Sequence, residues 1–387
     1  MSDILENTVS ILERLVEFPS ISGRPTDESI TYIQDYLTDH GVSSALSFDE
    51  TGERANLFAT IGPEVDGGVV LNGHTDVVPV EGQNWQTDPF TLTRKGERLY
   101  GRGSVDMKGF LACVLASVPR FMAADLTKPI HIAFTFDEEI GGLGMPVLLS
   151  SFANMGLQPS VIIVGEPTEM KIVTGHKGGF EMRTEITGME AHSCDPRNGV
   201  SAIAAAVKLI TKIEDMNTQR AANPIAGSPF NPPYPTFNVG MIEGGAARNA
   251  TAGWCNFDWE YRPMPGEDGA AVIAKLEEYV ATHILPDMRR VSEKADIRII
   301  TEVDVPPLDD QNAAAAIEFV SGITGINDTD VVSFGTDAGY FSDAGLSTVV
   351  FGAGDIGRAH KADEYIELGE LSQGLEFLRK LAERLSQ

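Results

Sequence analysis

Four short apolar runs, Val69–Asn72, Ile130–Phe136, Val161–Val164 and Thr348–Phe351, each give way within ten residues to an imidazole or a carboxylate. Runs this short, without polar alternation, read as buried strands, and Asn56–Ile61 reads as another. Gly109–Met122 and Met145–Ala153 between them read as helices. Two further helices precede the strands: Ile4–Phe18, stopped by Pro19, and Asp27–His40, stopped by Gly41. Strand and helix in alternation imply an α/β layer fold. In open sheets of that class, ligand-binding groups gather outside the carboxyl ends of the strands.

After Gly175 the pattern changes. Phe180–Ile186 alternates like a half-exposed strand, Val200–Met216 reads as a helix, and Thr236–Met241 and Thr251–Tyr261 read as strands. Gly266–His283 reads as a helix and Ile297–Glu302 as a strand, a segregated pattern typical of an α+β domain. From Ala313 the alternation returns and ends in a helix at Leu368–Leu385. The expected organisation is a core domain built from residues 1–179 and 303–387, interrupted by an inserted α+β domain at 180–302.

The polar groups at the strand ends carry the chemistry. His74 and Asp76 follow the first run, Asp137, Glu138 and Glu139 the second, Glu166 the third and His360 the fourth, while Asp106 lies in a glycine-containing loop that enters a helix. Singly, each has an ordinary reading: a strand-end His with a turn Asp, a helix N-cap at Asp106, a solvated charge run at 137–139. Together, His74, Asp106, Glu139, Glu166 and His360 are two imidazoles and three carboxylates at one rim. That is a ligand set for a pair of borderline metals such as zinc. One bridging carboxylate, with one His and one further carboxylate per metal, uses all five. Glu138 is then free to accept a proton from water.

Composition narrows the partners. Lys plus Arg number 29 against 56 Asp plus Glu, a formal charge of −27 that repels nucleic acid and anionic membrane alike. No run approaches the roughly 20 apolar residues of a membrane span. Cys113, Cys194 and Cys255 are widely spaced and without a C-x-x-C pair, and the acidic N-terminal segment lacks a signal-peptide pattern, so a cytoplasmic setting is expected. Gly352–Gly357 matches G-x-G-x-x-G, but only 30 residues follow it, too few to complete a nucleotide-binding half. Neither G-x-S-x-G nor H-E-x-x-H occurs.

Gly73-His74-Thr75-Asp76, Gly103–Gly109, Asp137-Glu138-Glu139, Gly165-Glu166-Pro167 and Ala359–Glu364 resemble the motifs of the co-catalytic zinc family of deacetylases, desuccinylases, aminoacylases and carboxypeptidases. The resemblance spans nearly the whole chain. It implies a zinc-exopeptidase-like core, a mixed sheet flanked by helices, with the insert acting as a lid and dimerisation domain. It also implies two Zn2+ per subunit, for which Co2+ can substitute: one held by His74, Asp106 and Glu166, the other by Asp106, Glu139 and His360. Glu138 would be the base, Asp76 the orienter of His74, and His192 a group reaching the partner's active site across a homodimer. Within the family, Gly175–Gly178, Ala191-His192-Ser193, Pro233–Thr236 and Arg262-Pro263 are most similar to the acetylornithine deacetylase branch, whereas the loop Gly335–Tyr340 partly resembles desuccinylases. The implied substrate is therefore a small N-acyl amino acid, with desuccinylase and broader aminoacylase or dipeptidase activities as alternatives. Arg262, assisted by Asn249, is the candidate for the substrate α-carboxylate, and Lys177 and Thr336 are further binding candidates. Asp337 is either the counterpart of a cationic substrate side chain or a turn-forming Asp.

Overall fold

The structure, a computed structural model, describes residues 2–25 and 27–387. Two compact units are present. The first comprises the chain up to Gly175 with Leu308–Val331 and Thr336–Gln387, and the second His176–Pro307 with Val332–Gly335.

In chain order, helices α1 (Ser2–Val16) and α2 (Asp27–Asp39) precede strands β1 (Ser44–Phe48), β2 (Ala55–Ile61), β3 (Val69–His74), β4 (Thr93–Lys95) and β5 (Arg98–Tyr100). Helix α3 (Gly109–Ala123), β6 (Ile130–Thr135), α4 (Gly144–Met155), β7 (Val161–Val164) and β8 (Ile172–His176) follow. The second unit contains β9 (Gly179–Thr187), α5 (Ala202–Ala222), β10 (Thr236–Gly244), β11 (Trp254–Arg262), α6 (Gly269–Tyr279), α7 (Leu285–Arg289) and β12 (Asp296–Val305). The chain then adds α8 (Ala314–Thr324), β13 (Thr329–Val332), α9 (Ala338–Asp343), β14 (Thr348–Val350), β15 (Tyr365–Glu367) and α10 (Leu368–Leu385).

The main sheet of the first unit has the order β1-β2-β6-β3-β7-β14-β8-β13. Its centre, β6-β3-β7-β14, is parallel, and the pairs β1-β2, β2-β6 and β14-β8 are antiparallel. The central strands are buried along their whole length, which is why their sequences are continuous apolar runs without alternation. Helices α1 and α10 pack on α3 through an apolar stripe that includes Leu12, Leu15, Leu111, Leu115, Leu378 and Leu381. The second unit folds a four-stranded sheet, β10-β11-β9-β12, over a separate core of Leu209, Ile213, Phe257, Trp259, Tyr261 and Leu276.

Several boundaries differ from the sequence reading. Strand β12 continues to Val305 because Val303–Val305 pair with Gly179–Glu181. Val332–Gly335 group with the second unit, where Ser333 Oγ donates to the Asn231 carbonyl at 2.7 Å. The helix expected over Gly266–His283 starts at Gly269, capped by Asp268, whose carboxylate accepts the Ala271 N–H. It then widens into a π-turn at Val280–Ile284 before α7.

Candidate metal centre

The parallel strands bring their carboxyl ends to one edge of the sheet. His74 closes β3 opposite Thr135 of β6, Asn72 lies opposite Val164 of β7, and Val164 lies opposite Val350 of β14. Glu138 and Glu139 follow β6, and Glu166 follows β7. His360 follows β14 and has left-handed backbone angles, φ 60°.

His74 Nδ1 donates to the main-chain carbonyl of Asp76 at 2.9 Å, which fixes the ring and turns Nε2 inward. That Nε2 lies 3.1 Å from Asp106 Oδ1 and 3.5 Å from Glu166 Oε1. His360 Nε2 lies 3.2 Å from Asp106 Oδ2 and 2.8 Å from Glu139 Oε2. Asp106 therefore presents one oxygen to each imidazole. Ligand atoms of His74, Asp106 and Glu139 fall within 4.8 Å of one another, as do those of His74, Glu138 and Glu166. Glu138, expected as the base beside the ligands, thus faces the same space as His74 and Glu166. Asp106 is not an N-cap: α3 begins at Gly109, and Asp106 has φ −124° and ψ 94°.

The cluster holds more negative charge than its two imidazoles neutralise. Burial, reinforced by Glu166, drives the Glu138 carboxyl well above its ordinary range, and burial reinforced by Asp106 does the same to Glu166. Glu139 is pushed up to about 7 by burial and the nearby Asp106. Burial also opposes charge on Asp106, but contacts from His360 and His74 outweigh it and hold that group below the usual carboxylate range. Contacts with Asp106 and Glu139 push His360 up to about 10. A buried group of this kind must take up protons or cations. Two imidazole nitrogens and several carboxylate oxygens around one space fit divalent cations of the zinc type.

The surrounding groups hold the ligands in place. The Asp76 carboxylate, expected to orient His74, is 3.6 Å from Nδ1. Instead it accepts Ser22 Oγ at 2.7 Å and the N–H groups of Glu138 and Glu139 at 3.1 and 3.3 Å. The three consecutive carboxylates at 137–139 diverge, because Asp137 is left-handed (φ 53°) and turns inward to Arg54 and the Gly23 N–H. Lys108, two residues after Asp106, donates to the carbonyls of Leu15 and Phe18 at the end of α1. The sequence reading assigned no role to Arg54, Lys108, Arg102 or Gln83. For Arg102 and Lys108 the available signal was a charged side chain in the glycine-containing loop that carries Asp106.

The expected substrate-binding residues have varied placements. Thr336 is buried, and its hydroxyl accepts the Ala338 N–H at 3.1 Å. Asp337 is 2% exposed and accepts Thr135 Oγ1 at 2.7 Å. That bond ties Asp337 to the end of β6, and burial there pushes its carboxyl up to about 6. In the second unit, Lys177 is 1% exposed and donates to the carbonyls of Pro232 and Tyr234. Arg262, half-exposed at the end of β11, grips Glu260 Oε2 through Nε and Nη2. His192 and Asn249 are both exposed on paired loops, joined by a bridge between His192 and Ala250 and by the Ser193 N–H donating to the Asn249 carbonyl. His192 Nδ1 accepts the Cys194 N–H at 3.2 Å, which leaves the proton of the neutral ring on Nε2.

The family model described as Peptidase family M20/M25/M40 matches residues 70–384. An acetylornithine deacetylase of Yersinia pseudotuberculosis is 33% identical over 98% of this chain and 97% of its own length. One from Myxococcus xanthus is 36% identical over 96% and 95%. Among solved structures, an M20 family metallo-carboxypeptidase from Sulfolobus solfataricus superposes with a TM-score of 0.74 at 18% identity, covering 98% of this chain and 99% of that one. A dinuclear metal-binding peptidase of the M20 family from Bacillus subtilis gives 0.69 at 15% identity, covering 99% and 98%. At these identities the structures establish the fold.

Proposed function

Since the chain belongs to peptidase family M20/M25/M40, we propose that it is a two-metal amide hydrolase that cleaves N2-acetyl-L-ornithine with water to L-ornithine and acetate. The substrate rests on one observation: acetylornithine deacetylases match the chain almost end to end at 33% and 36% identity. The geometry supports the reaction class. His74, Asp106 and Glu166 would hold one cation, and Asp106, Glu139 and His360 the other. Two zinc ions, or cobalt in their place, would supply Lewis-acid polarisation of the amide carbonyl and lower the pKa of a nearby water.

Glu138 takes the proton from the attacking water and returns it to the departing nitrogen. Burial and the adjacent Glu166 raise its proton affinity, as suits a group that must keep a proton between two steps. Asp76 steadies that carboxylate through its backbone N–H. His192, with its proton on Nε2, donates to the developing oxyanion of the neighbouring subunit in a homodimer. Arg262 shares its guanidinium between Glu260 and the substrate α-carboxylate, with Asn249 assisting.

The dimer reading is supported by the second unit. β10 is an edge strand with Met241 and Ile242 exposed, and α5 exposes Ile203 and Val207, an apolar surface that isolated edge strands avoid. We place the reaction in arginine biosynthesis and in the cytoplasm, a reducing setting that suits three free thiols, one of them exposed at Cys194. Among the described residues, no helix is long and apolar enough to cross a membrane.

The test is a set of initial rates on N-acetyl-ornithine, N-succinyl-diaminopimelate and N-acetyl-methionine, before and after chelation and after zinc or cobalt is returned. The expected result is metal-dependent cleavage led by N-acetyl-ornithine. Preference for the succinyl substrate would move the assignment to a desuccinylase, and chelator-resistant activity would overturn the two-metal reading.

A further inference from the structure

We propose that Glu364 is a positioning residue for the metal centre, a single buried carboxylate that fixes the backbone of Asp106 and, through Arg102 and Gln83, that of His360. The inference rests on the two-metal reading above and concerns residues that lie behind the ligands.

Glu364 and Arg102 are each 1% exposed. Glu364 Oε1 accepts the N–H groups of Val105 and Asp106 at 3.0 and 3.3 Å. Oε2 accepts the Gly103 N–H at 3.1 Å and Arg102 Nη1 at 2.6 Å. The Glu364 carbonyl also takes the Gly101 N–H at 3.0 Å, so residues 101–106 wrap around this one side chain. Arg102 Nη2 continues to Gln83 Oε1 at 2.6 Å, and Gln83 Nε2 donates to the His360 carbonyl at 3.1 Å.

The loop needs such an acceptor. Asp106 and Met107 have non-helical backbone angles, so the N–H groups leading into them do not enter a regular helical ladder. Among side chains, only an ionised carboxylate offers acceptor sites for three backbone N–H groups and a guanidinium together. A pair formed merely to neutralise Arg102 would not need the three N–H groups. Asp106 is the carboxylate that faces both imidazoles, and His360 lies four residues before Glu364. One node therefore ties down two groups from opposite ends of the chain.

The test compares wild type, Glu364→Gln and Arg102→Met/Glu364→Gln. Three readouts are taken: zinc affinity by competition with a chromophoric chelator, the visible spectrum of the cobalt-loaded protein, and the melting temperature of the metal-free protein. Glu364→Gln should bind zinc about 10–100-fold more weakly, the usual cost of losing an outer-shell partner, and should change the cobalt spectrum. In the double variant no buried charge is left unpaired, so the metal-free melting temperature should rise above that of Glu364→Gln. The affinity should not, because an amide supplies one oxygen where the N–H groups had two. Should the single variant not fold, the double variant carries the test. Wild-type affinity and spectrum in Glu364→Gln, or affinity that recovers in step with melting temperature in the double variant, would overturn the proposal and leave Glu364 as a structural partner of Arg102. Wild-type protein that takes up no cation would overturn the two-metal reading, and this inference with it.

Discussion

Replacing Gly165 with alanine isolates one steric contact beside a proposed ligand. Gly165 separates the end of β7 from Glu166, and a Cβ placed on it would fall on three ring carbons of Phe110, well inside 3.0 Å. Its φ lies outside the left-handed region, so backbone strain adds nothing. Carbon atoms settle at about 3.5–4.0 Å, so ring and strand end must part by about 1–1.5 Å or more. Phe110 is partly buried and packs against the core of the first unit, so moving its ring disturbs those contacts. Overpacking of this kind costs about 1–3 kcal/mol. At about 2–4 °C per kcal/mol for a unit of this size, the melting temperature should fall by roughly 2–12 °C. Displacing Glu166 by a comparable distance should lower kcat/KM on the order of 10²-fold. Melting curves and rates on N-acetyl-ornithine for Gly165→Ala, Phe110→Ala and the double variant measure both effects. Removing the ring removes the obstacle, so the double variant should be more stable than the sum of the singles by about 1 kcal/mol or more. Additivity within about 0.5 kcal/mol would show that Phe110 is not what Gly165 accommodates.

Glu138→Gln should keep its cations yet lose on the order of 10²–10⁴ in turnover, measured by metal analysis beside initial rates; near-wild-type turnover would remove Glu138 as the base. Mixing inactive Glu138→Gln with inactive His192→Ala should restore activity, since one site of a mixed dimer has both groups intact. No recovery despite demonstrated subunit exchange would place His192 within its own chain. Asp337→Asn, which weakens the contact with Thr135, should cost about 1 kcal/mol and lower rates on N-acetyl-ornithine and N-acetyl-methionine alike. A loss confined to N-acetyl-ornithine would make the substrate cation its partner after all.

The ligand cluster was legible in the sequence because His74, Glu139, Glu166 and His360 follow buried runs and Asp106 lies in a glycine-containing loop entering a helix, and both the runs and the donor chemistry are local signals. The sheet centre was legible for the same reason. Short or half-exposed strands were not: Ser44–Phe48 lacks a clear period, and Thr93–Lys95 and Arg98–Tyr100 are too short to have one. The supporting groups were hidden by separation along the chain. Nothing near Glu364 announces that its partners are Arg102, 262 residues away, and the N–H groups that follow it. Taken alone, Asp106 also reads as a helix cap, and the non-helical turn between it and Gly109 that rules this out has no local signal. Lys177 and Asp337 were singled out by motif position, which gave no hint that Lys177 donates to the carbonyls of Pro232 and Tyr234 or that Asp337 accepts from Thr135.

The strand order also determines when this protein can finish folding. The second unit is nearly contiguous, and most of it leaves the ribosome before Leu308 is made. The first unit starts earlier yet cannot close, because β14 lies between β7 and β8 in the sheet and is synthesised after the whole insert. Until Thr348–Val350 emerge, the edges of β7 and β8 lack their partner, and until His360 emerges Glu139 lacks its imidazole. A chain cut short between Gly335 and Thr348 should therefore carry a folded second unit beside an open, aggregation-prone sheet. The emergence of His360, not the early synthesis of His74, Asp106 and Glu166, is the moment at which the centre can become whole.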